Sequence, residues 1–288
     1  KQAILNEDAS KVLEADIKED EILIKGIKDG TMYGESSDVV EERLNKNKYM
    51  FDNNIIPIYD VTMTSYNFLI DIGKEILPLF LIILMFLFNG DITSKDSEMG
   101  TYKILLIQPM KRVKILYSKI IASIIASMIM ILGTLSIFFI SLGFIKGLGS
   151  SNYPMSFYDV SSDEIINIGI AKFCGYFVIL LIFLMIFYVS LSTLISIISN
   201  NSTTSIGVSI TLGISIFILN TQYKIAPKIA HLNPFTYMNI PNILNGTILK
   251  QFENTNINYK YCLGVIVFFT ILNIVISTFI FKKRDVIC

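Results

Sequence analysis

Charge is missing from long stretches of this 288-residue sequence. No Asp, Glu, Lys, Arg or His occurs from Phe173 to Tyr223, and the stretch from Ile120 to Ile145 is equally free of them. Hydrophobic residues make up 52% of the chain, and they come in blocks rather than at the spacing of an amphipathic surface helix. A helix needs roughly 20 apolar residues to cross about 30 Å of hydrocarbon, so these blocks are typical of a polytopic membrane protein and argue against a soluble core.

We therefore predict an all-α membrane protein with a transmembrane domain over residues 66–288. The spans are expected at about residues 66–90, 115–145, 172–199, 205–223 and 261–281. Block length alone predicts the last four. The first span can cross if its helix begins near Tyr66, with Asp71, Lys74 and Glu75 at the headgroup level, where charge is tolerated.

The sequence lacks the residues that several classes of membrane protein need. Ion-coupled carriers usually bind their driving ion through intramembrane Asp, Glu or His, which the apolar blocks do not supply. The sequence contains no phosphate loop of the form GxxxxGK[ST], so this chain should not bind ATP itself. It has no HExxH zinc motif, no Ser-His pair within spans and no two intramembrane Asp residues, which counts against a membrane-embedded enzyme. We expect no catalytic residue, no metal site and no cofactor bound by this chain.

The few cysteines and the one histidine indicate no special site. Cys174, Cys262 and Cys288 have no metal or redox spacing and make no disulfide framework. A bridge between Cys174 and Cys262 is conceivable, but two small apolar packing residues are the favoured interpretation. His231 has no carboxylate or Cys near it in sequence, so we predict a structural role for it.

Basic residues predict which ends of the spans face the cytoplasm. They cluster between the first two spans and at the C-terminus, which the positive-inside rule places inside the cell. Four spans lie between these clusters, and an even number agrees with that orientation. The clusters consist of Lys95, Lys103, Lys111, Arg112, Lys114 and Lys119, and of Lys282, Lys283 and Arg284.

Residues 1–65 are then expected on the outer face. Acidic side chains outnumber basic ones there, and the reverse holds for the rest of the chain. Two helices joined near Gly26 to Gly34 fit the apolar pattern, with a helix start at Ser37. Because the first residue is Lys1 and no signal-peptide segment follows, an earlier span is expected to be missing, giving six spans in the complete chain with both termini cytoplasmic.

A short polar and apolar segment, residues 91–114, joins the first two predicted spans. Thr93 and Asp96 form a candidate capping box, and Gly100 allows the chain to bend before an apolar run that Pro109 ends. The physical properties of the segment alone fit an ordinary basic interfacial helix bound to anionic lipid equally well.

The order of residues in this segment supports a more specific interpretation. It contains an acidic residue, Gly100-Thr101, Lys103, Leu105-Leu106, Pro109, Arg112 and Ser118-Lys119. This order between two spans resembles the permease subunits of ABC-2 type transporters, in which the segment forms the coupling helix seated on the ATPase subunit. The family's acid usually lies four residues before the Gly, which is Asp96 here, so Asp96 and Glu98 are both candidates.

The resemblance implies a site, a fold and partners. The residues implied to couple to the ATPase are Asp96, Glu98, Gly100, Thr101, Tyr102, Leu105, Leu106, Pro109 and Arg112. Residues 226–258 are implied to form short exterior or re-entrant helices. The implied partners are a separate ABC ATPase that holds ATP and magnesium, a second permease subunit in a homodimer or heterodimer, and the lipid bilayer, with no nucleic acid.

Small and polar residues inside the spans have two interpretations. Ser205, Ser209 and Gly213 recur every four residues, a small-xxx-small pattern that permits close helix packing within the subunit or across a dimer. Asn273, Thr211 and Ser215 are candidates for a translocation path, although interhelical hydrogen bonding is the commoner use of such residues.

We therefore expect a permease subunit of an ATP-driven exporter in the cell membrane. By analogy within the family, its substrate is an amphipathic antimicrobial peptide, a drug or a lipid-like molecule. A non-transporting membrane receptor or anchor subunit is the alternative, because its spans would look the same. A membrane-embedded enzyme is the third option.

Overall fold

The structure is a computed structural model that describes residues 2–31, 37–55, 64–100, 111–223 and 227–283. Its helices are α1 Gln2–Lys28, α2 Ser37–Asp52, α3 Ser65–Glu75, α4 Leu77–Asn89, α5 Ser94–Glu98, α6 Arg112–Lys146, α7 Ile170–Ile198, α8 Ser202–Tyr223, α9 Ile240–Leu244, α10 Thr247–Phe252 and α11 Tyr259–Lys283. Two 3-10 helices, Pro227–Leu232 and Pro234–Met238, precede α9, and one hairpin, β1 Pro154–Asp159 and β2 Glu164–Gly169, precedes α7.

Within these described residues, five helical segments are long and apolar enough to cross a membrane. They are Leu77–Glu98, Arg112–Lys146, Ile170–Ile198, Ser202–Asn220 and Tyr259–Lys283. The five predicted blocks are therefore all present as helices. Residues 227–252 form only short helices, as their prolines predict.

The first predicted span differs from the structure at its beginning. Residues 66–75 belong to a separate helix, α3, and the apolar helix α4 starts only at Leu77. Pro78 lies in the first turn of α4 and has no N–H to donate to the carbonyl four residues earlier, that of Lys74. The side-chain amide of Asn239 donates to this carbonyl instead, at 2.9 Å.

The described residues divide into two compact units, one built from residues 1–69 and 139–176 and the other from residues 70–138 and 177–288. In the first unit α1 packs against α2, and α2 contacts the hairpin. Its small core contains Leu13, Met50 and Ile55. The buried carboxylate of Asp20 is compensated by Arg43, at 2.7 Å, as a buried charge requires.

The hairpin is absent from the all-α prediction. β1 and β2 pair antiparallel from Pro154 opposite Gly169 to Asp159 opposite Glu164, and a four-residue turn joins them. Neither strand alternates strictly between apolar and polar residues, since Phe157 and Tyr158 are adjacent in β1 and Ile165 and Ile166 are adjacent in β2. Tyr158 in β1 donates its hydroxyl to Asp163 in the turn. Burial, together with this hydrogen bond, raises the pKa of Tyr158 to about 12.

The second unit is built around α4, α7 and α8. Rings from α4 and α7 meet edge to face in its core, with the centroids of Phe86 and Tyr188 5.5 Å apart. Phe235 of the second 3-10 helix packs on the same aromatic cluster, 5.8 Å from the ring of Phe187. The polar turn that follows α4, residues 90–100, lies in the same unit.

Candidate functional site: the polar turn after α4

The site begins at Gly90, where the apolar helix α4 ends. The hydroxyl of Ser205, near the start of α8, donates to the carbonyl of Gly90. A Cβ atom at Gly90 would lie only 2.9 Å from Cγ1 of Ile206, also on α8. The absence of a side chain at Gly90 therefore allows the end of α4 and the start of α8 to touch.

The short helix α5 is capped by a side chain from α7. Ser196 accepts hydrogen bonds from the backbone N–H groups of Thr93 and Ser94, at 3.0 and 2.9 Å. All three residues are buried, and such N–H groups at a helix start need a partner.

The predicted capping box is wrong. Thr93 does stand at the N-cap of α5, but its side chain makes no capping hydrogen bond. Its hydroxyl oxygen is buried without a partner in the described part of the chain. The N–H of Thr93, which the side chain of Asp96 would bind in a capping box, donates to Ser196 instead.

The two acids of the turn have different partners. Asp96 forms an ion pair with Lys119 of α6, whose ammonium group also donates to the carbonyl of Ile92 at 3.0 Å. Glu98 accepts a hydrogen bond from the backbone N–H of Ser202 at 2.9 Å. This bond places a carboxylate at the N-terminus of α8, where the helix dipole favours negative charge. Both candidate acids therefore connect the turn to neighbouring helices.

Gly100 ends the described part of this segment. Its φ of +68° is left-handed, a conformation that glycine adopts at no steric cost, and it turns the chain out of α5. Arg112 is the exposed first residue of α6. Thr101, Tyr102, Leu105, Leu106 and Pro109 lie outside the described residues, so their predicted roles stay predictions.

The small-residue face of α8 packs on α4 of the same chain. Ser205 and Ser209 are fully buried, and a Cβ atom on Gly213 would lie 2.6 Å from side-chain atoms of both Ile82 and Phe86. The opposite side of α8 is exposed and carries Thr211 and Ser215, the two residues proposed from the sequence for a translocation path.

Asn273 of α11 lies inside the second unit rather than on its surface. It is 6% exposed, and its amide donates to the hydroxyl of Ser190 on α7 at 3.3 Å. This contact is the interhelical hydrogen bond that the sequence analysis named as the commoner use of such a residue. His231 lies 3.2 Å from the amide nitrogen of Asn254, and no cluster of metal-ligating side chains occurs among the described residues.

Sequence reasoning missed Ser196 and named Lys119 only as part of the basic cluster and the motif, without a role in the site. Ser196 had no signal, because one serine among several in an apolar helix does not reveal what it faces. Lys119 did carry one: it immediately precedes the charge-free run, and a cation there needs a nearby anion or water.

Five apolar helices of membrane-spanning length, four of which meet at a polar turn, are the architecture of a multi-pass membrane protein. Residues 45–287 match the model of the family described as "Protein of unknown function (DUF2705)", and the chain belongs to this family. Comparison with curated proteins gives no significant match.

Proposed function

We propose that this chain is the membrane-spanning permease subunit of an ATP-driven exporter of the ABC-2 type, located in the plasma membrane. In this proposal residues 91–114 are cytoplasmic and contact a separate ATPase subunit. A second permease subunit completes the transporter. ATP and magnesium are held by the partner, and this chain supplies the path for an amphipathic peptide, drug or lipid-like substrate.

The observation that carries the proposal is the bracing of the turn that follows α4. Side-chain contacts join it to α6 through Asp96 and Lys119, to α7 through Ser196, and to α8 through Glu98 and Ser205. A force applied to the segment would therefore reach three apolar helices besides α4. A loop that only anchors the chain to lipid does not need bonds to every neighbouring helix.

Each part of the segment has a role in this mechanism. Leu105 and Leu106 would be buried against the ATPase, where a buried Leu contributes roughly 1.5 to 3 kcal/mol. Asp96 and Glu98 hold the segment on α6 and α8, and Pro109 turns the chain back toward the membrane. Movement of the segment during ATP hydrolysis would shift α8, which packs on α4 through Ser209 and Gly213.

Partner binding is tested with Leu105→Asp and Leu106→Asp, which place an unpaired charge in the proposed contact. We expect both variants to insert normally and to lose co-purification of an ABC ATPase subunit from the native membrane. Leu148→Asp is the matched control, because Leu148 is exposed and lies in the other unit. Full partner binding by both variants would refute the coupling role and favour a receptor, an anchor or a lipid-bound helix.

Force transmission is tested separately with Ser202→Pro. Proline is well tolerated at the first position of a helix, so this change removes the N–H that Glu98 binds while keeping α8. The Ser202 side chain also lies beside the Glu98 carboxylate, so this change removes both interactions of Ser202 with Glu98. We expect normal ATPase binding and reduced substrate-stimulated hydrolysis, with no further loss on adding Glu98→Gln. Unchanged stimulation would remove Glu98 from the mechanism.

A further inference from the structure

A hollow of about 750 Å³ opens beside the first 3-10 helix, away from the polar turn. It is lined by Pro227, Lys228, Ile229, Phe252, Glu253, Asn254 and Thr255. These residues follow closely on the end of α8 and shortly precede the start of α11. Both helices have the length and composition of membrane spans, and insertion of both would place the hollow at the level of the lipid headgroups.

Two opposite charges stand at this hollow without neutralising each other. Lys228 and Glu253 are both exposed, and neither makes an ion pair within the described ranges. Asn254 holds their two segments side by side, because its amide donates to the carbonyls of Pro227 and Lys228 at 2.9 and 3.3 Å. Glu253 has a φ of +51°, a left-handed conformation usually taken by Gly or Asn. A carboxylate is thus present where a C-cap would favour a different residue.

Exposed apolar side chains adjoin the hollow on one face of the first 3-10 helix. Ile229 is 59% exposed and Leu232 is 54% exposed, and both belong to the first 3-10 helix, of which Ala230 is the buried residue. Tyr261, near the start of α11, is also exposed, as is typical of aromatic residues at a membrane interface. The surface therefore offers one cation, one anion and an adjoining apolar strip.

We propose that this hollow binds the headgroup of phosphatidylethanolamine. The lipid phosphate accepts from the ammonium group of Lys228, and the lipid ammonium donates to the carboxylate of Glu253. The acyl chains lie along Ile229 and Leu232. An anionic lipid such as phosphatidylglycerol would leave Glu253 unpaired, and the trimethylammonium of phosphatidylcholine has no N–H to donate. The site requires membrane insertion and is independent of transport.

The absence of tryptophan from the sequence makes a direct measurement practical. Ile229→Trp introduces a single fluorophore into the full chain, which is reconstituted into vesicles containing brominated phosphatidylethanolamine, phosphatidylcholine or phosphatidylglycerol as quencher. We expect half-quenching by the ethanolamine lipid at a mole fraction about threefold lower than by the other two, the size of one exposed ion pair. Glu253→Gln, added to Ile229→Trp, should abolish this preference, whereas Lys228→Gln should weaken quenching by all three lipids, because each of them carries the phosphate that Lys228 binds.

Matched controls separate the site from general lipid contact. Phe268→Trp reports an exposed position in the middle of α11 and should show no headgroup preference. Lys250→Gln removes a lysine of α10 that does not line the hollow, and adding it to Ile229→Trp should leave the preference unchanged. Equal quenching of the Ile229→Trp variant by all three lipids, or a preference for phosphatidylglycerol that depends on Lys228 alone, would overturn the proposal.

Discussion

The side-chain amide of Asn239 donates to the backbone carbonyl of Lys74 at 2.9 Å, and this carbonyl is the one that Pro78 leaves without its helical partner. The side-chain carbonyl oxygen of Asn239 accepts from the N–H of Asn242 at 3.3 Å and caps α9. Gly73 permits this close approach, since a Cβ atom there would lie 2.9 Å from the ring of Pro241. The break between α3 and α4 is therefore matched to the segment that packs beside it.

This relationship predicts a non-additive pair of substitutions. Asn239→Ala should lower the free energy of unfolding by about 1 to 3 kcal/mol, because it leaves a sequestered carbonyl unsatisfied. In a Pro78→Ala background the restored N–H can bond to Lys74, so Asn239→Ala should then cost clearly less. Thermal unfolding in detergent of the four proteins of this cycle measures the difference. Equal costs in both backgrounds would show that Asn239 acts only through the α9 cap.

The ion pair between Asp96 and Lys119 also predicts that two substitutions have non-additive effects on stability. Asp96→Asn leaves the partly buried ammonium group of Lys119 without its counter-charge and should cost about 1 to 3 kcal/mol. Replacing both residues, by Asp96→Asn and Lys119→Met, should recover much of that loss. Lys114→Met is the control, since Lys114 is exposed on the same helix. A double variant as unstable as the single one would contradict the assignment.

The contact between α8 and α4 predicts different results for two glycines on one helix. Gly213→Ala forces a methyl group to within 2.6 Å of side-chain atoms of Ile82 and Phe86, and should cost about 1 to 3 kcal/mol of stability. Gly207→Ala meets no atom within 4 Å and should be neutral or slightly stabilising. The measurement is the melting temperature of each variant, and we expect a lower value for Gly213→Ala than for Gly207→Ala. Equal melting temperatures would show that α8 and α4 separate easily.

The proposed orientation predicts which residues an impermeant thiol reagent reaches. A Cys at Ser161, in the exposed hairpin turn, should react in intact cells, whereas a Cys at Lys95, exposed on α5, should react only after lysis. The native Cys174, Cys262 and Cys288 are replaced first; the described two are free and buried. The opposite labelling pattern would invert the topology and move residues 91–114 away from any cytoplasmic ATPase.

The five apolar helices were predictable because each depends on a local property of the chain. A run such as Phe173 to Ser199 is long enough and apolar enough by itself, and the hydrocarbon thickness sets the length that it needs. The short helices after Pro227 were predictable for a similar reason, since proline acts on its own turn. Pro78 also indicated a helix break, but the apolar residues around it suggested one continuous span.

The partners of the polar groups were decided only by the tertiary structure. Thr93 and Asp96 have capping-box spacing, yet Ser196 of α7 caps α5 and Lys119 of α6 takes the carboxylate. The small-xxx-small spacing of Ser205, Ser209 and Gly213 indicated a packing face without saying that α4 covers it. Apolarity and helix length follow from neighbouring residues in sequence. A hydrogen bond between residues about a hundred positions apart, such as that from Thr93 to Ser196, depends on which helices pack together.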